Sequence, residues 1–187
     1  MYTVKYNIKG YQIVLESEYG ERYLPQQAKQ YDAGFDLRAR VEQKVSLVQK
    51  GLLPELVYVD GVPVPGKKLV DSVRPEHIYI PPGQTKLVPT GVKWRVSLER
   101  EEGCVLALLL FARSGLAARC SLSLANGVGV VDMMYPEEIM VALRNESEYG
   151  HYIHDGSRIA QGLLVEVLSL GNGVGKRTSG FGHTGVG

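Results

Sequence analysis

The apolar positions of the chain come in short runs cut by glycine, proline and asparagine, and the pattern reads as strands rather than helices. Tyr11-Gln12-Ile13-Val14-Leu15 is β-prone. His77-Ile78-Tyr79-Ile80 ends at Pro81-Pro82-Gly83, and Lys86-Leu87-Val88 stops at Pro89-Thr90-Gly91; both breaks are turn signals. Val92-Lys93-Trp94-Arg95-Val96 alternates apolar and polar, the two-residue period of a half-buried strand. Residues 104–111 are continuously apolar, which predicts a buried strand, and Ile139-Met140-Val141-Ala142-Leu143 and residues 162–168 complete the set. Helical patterns are scarce: residues 113–118 hold at most a helical turn. Many short strands with frequent turns predict an all-β sandwich or barrel.

Two stretches depart from this pattern. In residues 41–76, Lys50, Lys67 and Lys68 sit among glycines and prolines, and Leu56-Val57-Tyr58-Val59 followed by Asp60-Gly61 suggests a hairpin. This stretch reads as a surface elaboration, with a partner-binding or regulatory arm as the sharper alternative. Residues 171–187 are glycine-rich with Lys176, Arg177 and Thr184 embedded; such a tail cannot bury a core and is expected to be mobile when free.

Composition narrows the class. A length of 187 residues with 44% hydrophobic and 22% charged residues suits one soluble domain, 1–170, followed by the tail. A net charge of +1 gives no bulk field toward nucleic acid or a membrane surface, so neither is an expected partner. No apolar run approaches the roughly 20 residues needed to cross a bilayer. Met1-Tyr2-Thr3-Val4-Lys5 lacks the apolar stretch of a secretory signal. Cys104 and Cys120 make neither a four-ligand zinc site nor a disulfide framework, which points to a reducing cytoplasm. The 22 glycines imply many tight turns and close backbone approaches.

Five segments carry candidate chemistry. The tail is not a Walker A loop, because Leu170 stands where a glycine is needed and Arg177 follows Lys176 where Ser or Thr is needed. Phe181 between Gly180 and Gly182 can fold over a flat base; the plain alternative is a disordered end. Asn126-Gly127-Val128-Gly129-Val130-Val131-Asp132-Met133-Met134-Tyr135 reads as a hairpin whose backbone can meet the edge of a pyrimidine. Asp132 follows an apolar pair, and a partly desolvated carboxylate is a better base. A plain hairpin with a solvated Asp132 and a core Tyr135 explains that segment equally well. Arg113-Ser114-Gly115 offers a guanidinium fork, a hydroxyl and close backbone approach, or simply a helix capped by Ser114. Ser157-Arg158-Ile159-Ala160-Gln161 offers a guanidinium and an amide, and Asp36 in Gly34-Phe35-Asp36-Leu37 suits a water-mediated metal contact or a plain strand end. His77, His151, His154 and His183 show no spacing tied to a nucleophile and read as surface or turn residues.

The order of the segments is more specific than any one of them. Ala33-Gly34-Phe35-Asp36-Leu37, then Arg113-Ser114-Gly115-Leu116-Ala117, then the Gly-Val-Val-Asp run with Tyr135, then Gly156-Ser157-Arg158-Ile159-Ala160-Gln161, then Gly180-Phe181-Gly182-His183-Thr184-Gly185 resemble the five ordered motifs of the trimeric dUTPase family. Residues 80–91 resemble its intervening strands. The match spans most of the chain except residues 41–76, an insertion that suits a viral or phage enzyme. The resemblance implies a jelly-roll-like all-β homotrimer with active sites between subunits. It implies hydrolysis of dUTP to dUMP and pyrophosphate in the cytoplasm, the host's if the enzyme is viral, with Mg²⁺ as cofactor. By resemblance Asp132 is the base and Tyr135 packs on deoxyribose. Asn126 with the backbone of Gly129 and Val131 reads uracil. Arg113, Ser114, Gly115 and Gln161 contact the phosphates, with Lys176 or Arg177 reaching them from the tail. Phe181 and Gly182 close over the base. Asp36 helps hold Mg²⁺ through water, the ion being held mainly by the triphosphate.

The chain departs from the family pattern at Ala112, Met134, Pro136, Glu137, Ser157 and Lys176. Rival readings on the same fold are a dCTP deaminase-like enzyme, which would carry Arg-Ser-Ser in place of Arg113-Ser114-Gly115, and a triphosphatase for a modified pyrimidine. A regulatory binding protein using residues 41–76 as its contact arm is the rival from another class.

Overall fold

The computed structural model describes residues 1–41, 77–97 and 104–168 in full, and residues 56–59, 62–65 and 98 by their backbone course. Strands form where the chain alternates or runs apolar. They are β1 (Tyr2–Ile8), β2 (Tyr11–Ser17), β3 (Phe35–Arg38), β4 (Leu56–Val59), β5 (Val62–Pro65), β6 (His77–Ile80) and β7 (Thr85–Pro89). After them come β8 (Lys93–Leu98), β9 (Cys104–Ala112), helix α1 (Ser114–Cys120), β10 (Leu122–Leu124), β11 (Gly129–Asp132), β12 (Met140–Asn145), β13 (Gly150–His154) and β14 (Arg158–Leu168). A single 3-10 turn, Glu21–Tyr23, is the other helical element among the described residues. The all-β class expected from the sequence is what the chain adopts.

Four small sheets share one core. Their strand orders are β1-β2-β8, β10-β12-β7, β11-β9-β14-β3 and β5-β4-β13-β6. Trp94, Ile13, Leu37, Ile80, Leu108, Leu122, Ile139, Leu143 and Ile159 are the large side chains sealed between them. The long pairing of β9 with β14, from Ala160↔Ala112 to Leu168↔Cys104, is the spine of the third sheet. Its apolar run is buried through the middle and half-exposed at both ends, so the fully buried strand expected for 104–111 holds only in part. Two glycines are required here by packing: a Cβ at Gly162 would sit 2.5 Å from the Phe35 ring, and one at Gly129 would sit 3.0 Å from Leu110 Cβ.

The expected hairpin at 56–65 is present. Leu56↔Pro65 through Val59↔Val62 pair antiparallel, and β4 then adds in parallel to β13. The rest of residues 42–76 and all of 169–187 lie outside the described residues, and with them Lys176, Arg177, Phe181, Gly182 and His183.

Three local expectations are corrected. The segment 126–135 with its flanking strand is not a hairpin: β10 pairs with β12 while β11 pairs with β9, so the turn at Asn126 and Gly127 (φ 69°) carries the chain from one sheet to another. Arg113, not Ser114, is the N-cap of α1, and no side chain caps it. Of the three described histidines, His151 is buried at 3% exposed, and His77 and His154 are partly buried and pair across β6 and β13 with ring centroids 3.9 Å apart. Short periods hide this, because a histidine inside a four- or five-residue strand looks like one in a turn.

Candidate active site

The third sheet places the candidate residues along β9. At one end β9 delivers Arg113 to the start of α1. Beside it β14 aligns Gln161 with Phe111, and β3 aligns Asp36 with Gln161. The backbone of Asp36 is pinned on both sides, by β14 and by a bridge to Gln26, whose carbonyl accepts the Asp36 N–H at 3.1 Å. Its carboxylate is 13% exposed and both oxygens are engaged. Arg113 donates Nε to Oδ1 at 2.8 Å, and Arg158 donates Nη1 to Oδ2 at 3.2 Å. Arg38 donates to the Gly156 carbonyl at 3.0 Å.

Arg38, Arg113 and Arg158 border a cleft of about 600 Å³, lined also by Gly115, Arg119 and Ser157, whereas Asp36, Ser114 and Gln161 lie behind its lining residues rather than among them. Four guanidinium groups around one opening make an anion site, since each presents planar forks of donors that match phosphate oxygens. Gly115 supports this reading. A Cβ built there would meet nothing within 4 Å, and its φ is not among the positive ones, so the fold itself does not require glycine at that position.

The other candidate group lies elsewhere. Asp132 pairs with Ala107, six residues back along β9 from Arg113. At about 3.4 Å per residue the two are separated by roughly 20 Å along the strand. Asp132 is exposed, and its main-chain carbonyl is held by the Trp94 indole at 3.0 Å and the Tyr135 amide at 3.0 Å. The desolvation expected from an apolar Val130-Val131 pair is therefore absent within one chain. Strand alternation buries Val131 to 8% and turns Val130 outward at 64%. Tyr135 is 9% exposed and belongs to the core, and Asn126 is exposed at the turn. Among the described residues strand β11 is the edge of its sheet, so alternate peptide groups along Gly129–Val131 face away from β9.

Three contributors were not legible in the sequence. Trp94 reads as core, yet its indole fixes the backbone of Asp132. Arg158 is read as one more guanidinium, yet it shares Asp36 with Arg113. Glu138, just beyond the segment where the chain leaves the family pattern, accepts a bidentate pair of bonds from Arg40 at 2.7 and 3.0 Å and ties the end of that segment to the β7–β8 turn through Gly91.

The donor set does not fit a protein-held metal ion. Among the described residues no three His, Cys, Asp or Glu side chains gather to hold one. Asp36, expected to reach Mg²⁺ through water, has a guanidinium on each oxygen, surroundings that attract an anion.

A family model for dUTPase matches residues 71–185. The deoxyuridine 5'-triphosphate nucleotidohydrolase of Desulfitobacterium hafniense is 36% identical over 154 residues, covering 78% of this chain and 97% of that protein. The protein of the same name from Hydrogenovibrio crunogenus is 38% identical over 116 residues, covering 58% of this chain and 72% of its own length. Among solved structures, the dUTPase of Streptococcus mutans superposes with a TM-score of 0.56 at 24% identity, covering 83% of this chain and 97% of that one. The dUTPase from phage phi11 of S. aureus, described with a species-specific insert, gives a TM-score of 0.54 at 15% identity, covering 90% and 99%. At those identities the two structures speak for the fold.

Proposed function

Because the chain belongs to the dUTPase family, we propose that it hydrolyses dUTP to dUMP and pyrophosphate, with Asp132 as the base that prepares the attacking water. The observation that carries the reading is the arginine-lined cleft with its open glycine, Gly115, which takes the triphosphate. Arg113, Ser114, Gly115 and Gln161 hold the phosphates. Water attacks the α-phosphorus, Asp132 accepts its proton and pyrophosphate leaves. A general base has to lie within hydrogen-bond reach of the water it activates. Roughly 20 Å of β9 is far beyond that reach, so the Asp132 that serves a given cleft belongs to another copy of the chain. We take the assembly to be a homotrimer with its sites between subunits, in keeping with the family resemblance.

In such an assembly the outward edge of β11, with Asn126 beside it, reads the uracil, and Tyr135 packs on the deoxyribose. Residues from Gly175 onward complete the site, with Lys176 or Arg177 on phosphate and Phe181 and Gly182 over the base. Magnesium arrives bound to the triphosphate rather than to the protein. The free thiols of Cys104 and Cys120 agree with a reducing cytoplasm, and no helix among the described residues is long and apolar enough to cross a membrane. The activity would keep uracil out of DNA and supply dUMP. Pyrophosphate release from dUTP, dCTP, dTTP and UTP tests the reading: dUTP should be strongly preferred, and preference for any other nucleotide overturns it.

A further inference from the structure

We propose that Asp36 is a positioning residue: it tethers Arg113 and Arg158 by one edge each and turns the remaining donors of both toward the cleft as a single anion-binding unit. This rests on the reading of the cleft as the phosphate site, and it gives Arg158 a place there beside Arg113.

The geometry supports the assignment at each step. Asp36 stands on backbone fixed from two sides, with β14 on one and the Gln26 bridge on the other. Its carboxylate is therefore a rigid post. Arg113 uses only Nε on it, which leaves both Nη groups; Arg158 uses only Nη1, which leaves Nε and Nη2. Arg113 is 21% exposed and Arg158 45%, and both line the opening, so their remaining donors are accessible there. An untethered arginine samples many rotamers and loses them on binding; a tethered one has lost them already.

A second effect opposes the first. The carboxylate is itself negative and repels an arriving phosphate, although water at a part-exposed site screens that repulsion. The two effects predict opposite signs for the same substitution. If tethering dominates, Asp36→Asn weakens anion binding. If charge dominates, it tightens it. If Asp36 serves the metal, binding without metal is unchanged and the magnesium requirement rises.

The experiment uses the full-length protein and inorganic tripolyphosphate in EDTA, followed by calorimetry, beside a Mg²⁺ titration of dUTP turnover. Asp36→Asn should weaken metal-free tripolyphosphate binding by about tenfold, the scale on which removal of an orienting partner acts on ligand affinity. Arg158→Gln should act in the same direction, Asp36→Glu should recover most of the loss, and the Mg²⁺ concentration for half-maximal turnover should not move. Thermal melts establish that each variant is folded, and if Asp36→Asn is not, the other two carry the comparison. Tripolyphosphate binding as tight as in the parent protein, or tighter, in Asp36→Asn overturns the proposal. So does an increased Mg²⁺ requirement with metal-free binding intact. Failure of the parent protein to hydrolyse dUTP would count against the dUTPase reading alone, since the tripolyphosphate measurement needs no hydrolysis.

Discussion

Around Asp36 the chain completes its own chemistry. A carboxylate on pinned backbone satisfies two arginines from distant parts of the sequence, and the cleft beside them is open and cationic. Around Asp132 it stops short. The backbone is held by Trp94 and Tyr135, but the residue is exposed, and Val130 and Met134 beside it are 64% and 62% exposed apolar residues on or just beyond the edge strand of the described sheet. One region is finished within the fold, whereas the other presents the surface that a partner copy would cover. Exposed apolar groups next to an open edge are costly for a monomer, and association relieves that cost.

The sharpest way to break the comparison is at Asp132. Asp132→Asn should lower turnover by about 10²–10⁴-fold, the usual worth of a positioned base, while nucleotide affinity measured by calorimetry stays close to the parent value. Near-normal turnover would remove Asp132 from the mechanism. Next, Asp132→Asn and Arg113→Gln should each be inactive, yet a refolded mixture of the two should regain turnover, because some sites then pair an intact cleft with an intact base. A mixture as dead as its components would place both groups in one chain's site.

Gly115→Ala separates fold from function at the finished region. Alanine meets nothing there and has a higher helix propensity than glycine, so the variant should be as stable as the parent or up to about 1 kcal/mol more stable in a urea melt. Its KM for dUTP should nonetheless rise, because the methyl group enters the space meant for phosphate. An unchanged KM would return Gly115 to a purely structural role.

The smallest effect concerns the wall of the cleft. Asp155 borders it and accepts bonds from the Tyr23 hydroxyl at 2.6 Å, from Arg22 and from the Val41 amide at 2.9 Å. Burial, reinforced by the bond to Asp155, pushes the Tyr23 phenol from 10.0 up to about 12. A raised phenol stabilises the folded state below pH 10 and loses that contribution as pH climbs toward 12. Tyr23→Phe should therefore be less stable than the parent at neutral pH, with the gap narrowing between pH 10 and 12. A constant gap would show that the proton on Tyr23 is irrelevant to the fold.

Much of this was open to reading along the chain. Alternation in 92–96 and the apolar run at 104–111 announced strands, because a strand needs only its own residues to show its period. The order of the five motifs announced the family, because each motif is local. The 56–65 hairpin was legible from Asp60-Gly61, but its parallel docking onto β13 was not, since nothing in either segment names its partner. The tether at Asp36 joins residues 77 and 122 positions apart, and no spacing rule connects them. The exposure of Asp132 turned on which face of β11 meets the core, which depends on its register with β9. Local pattern along the chain was enough for the strand-rich class, the family and the choice of candidate groups. Which arginines share a carboxylate, that Gly115 stands clear of its neighbours without needing a positive φ, and that the cleft and Asp132 lie roughly 20 Å apart along β9 came from the folded chain, because those facts belong to residues brought together by pairing and burial.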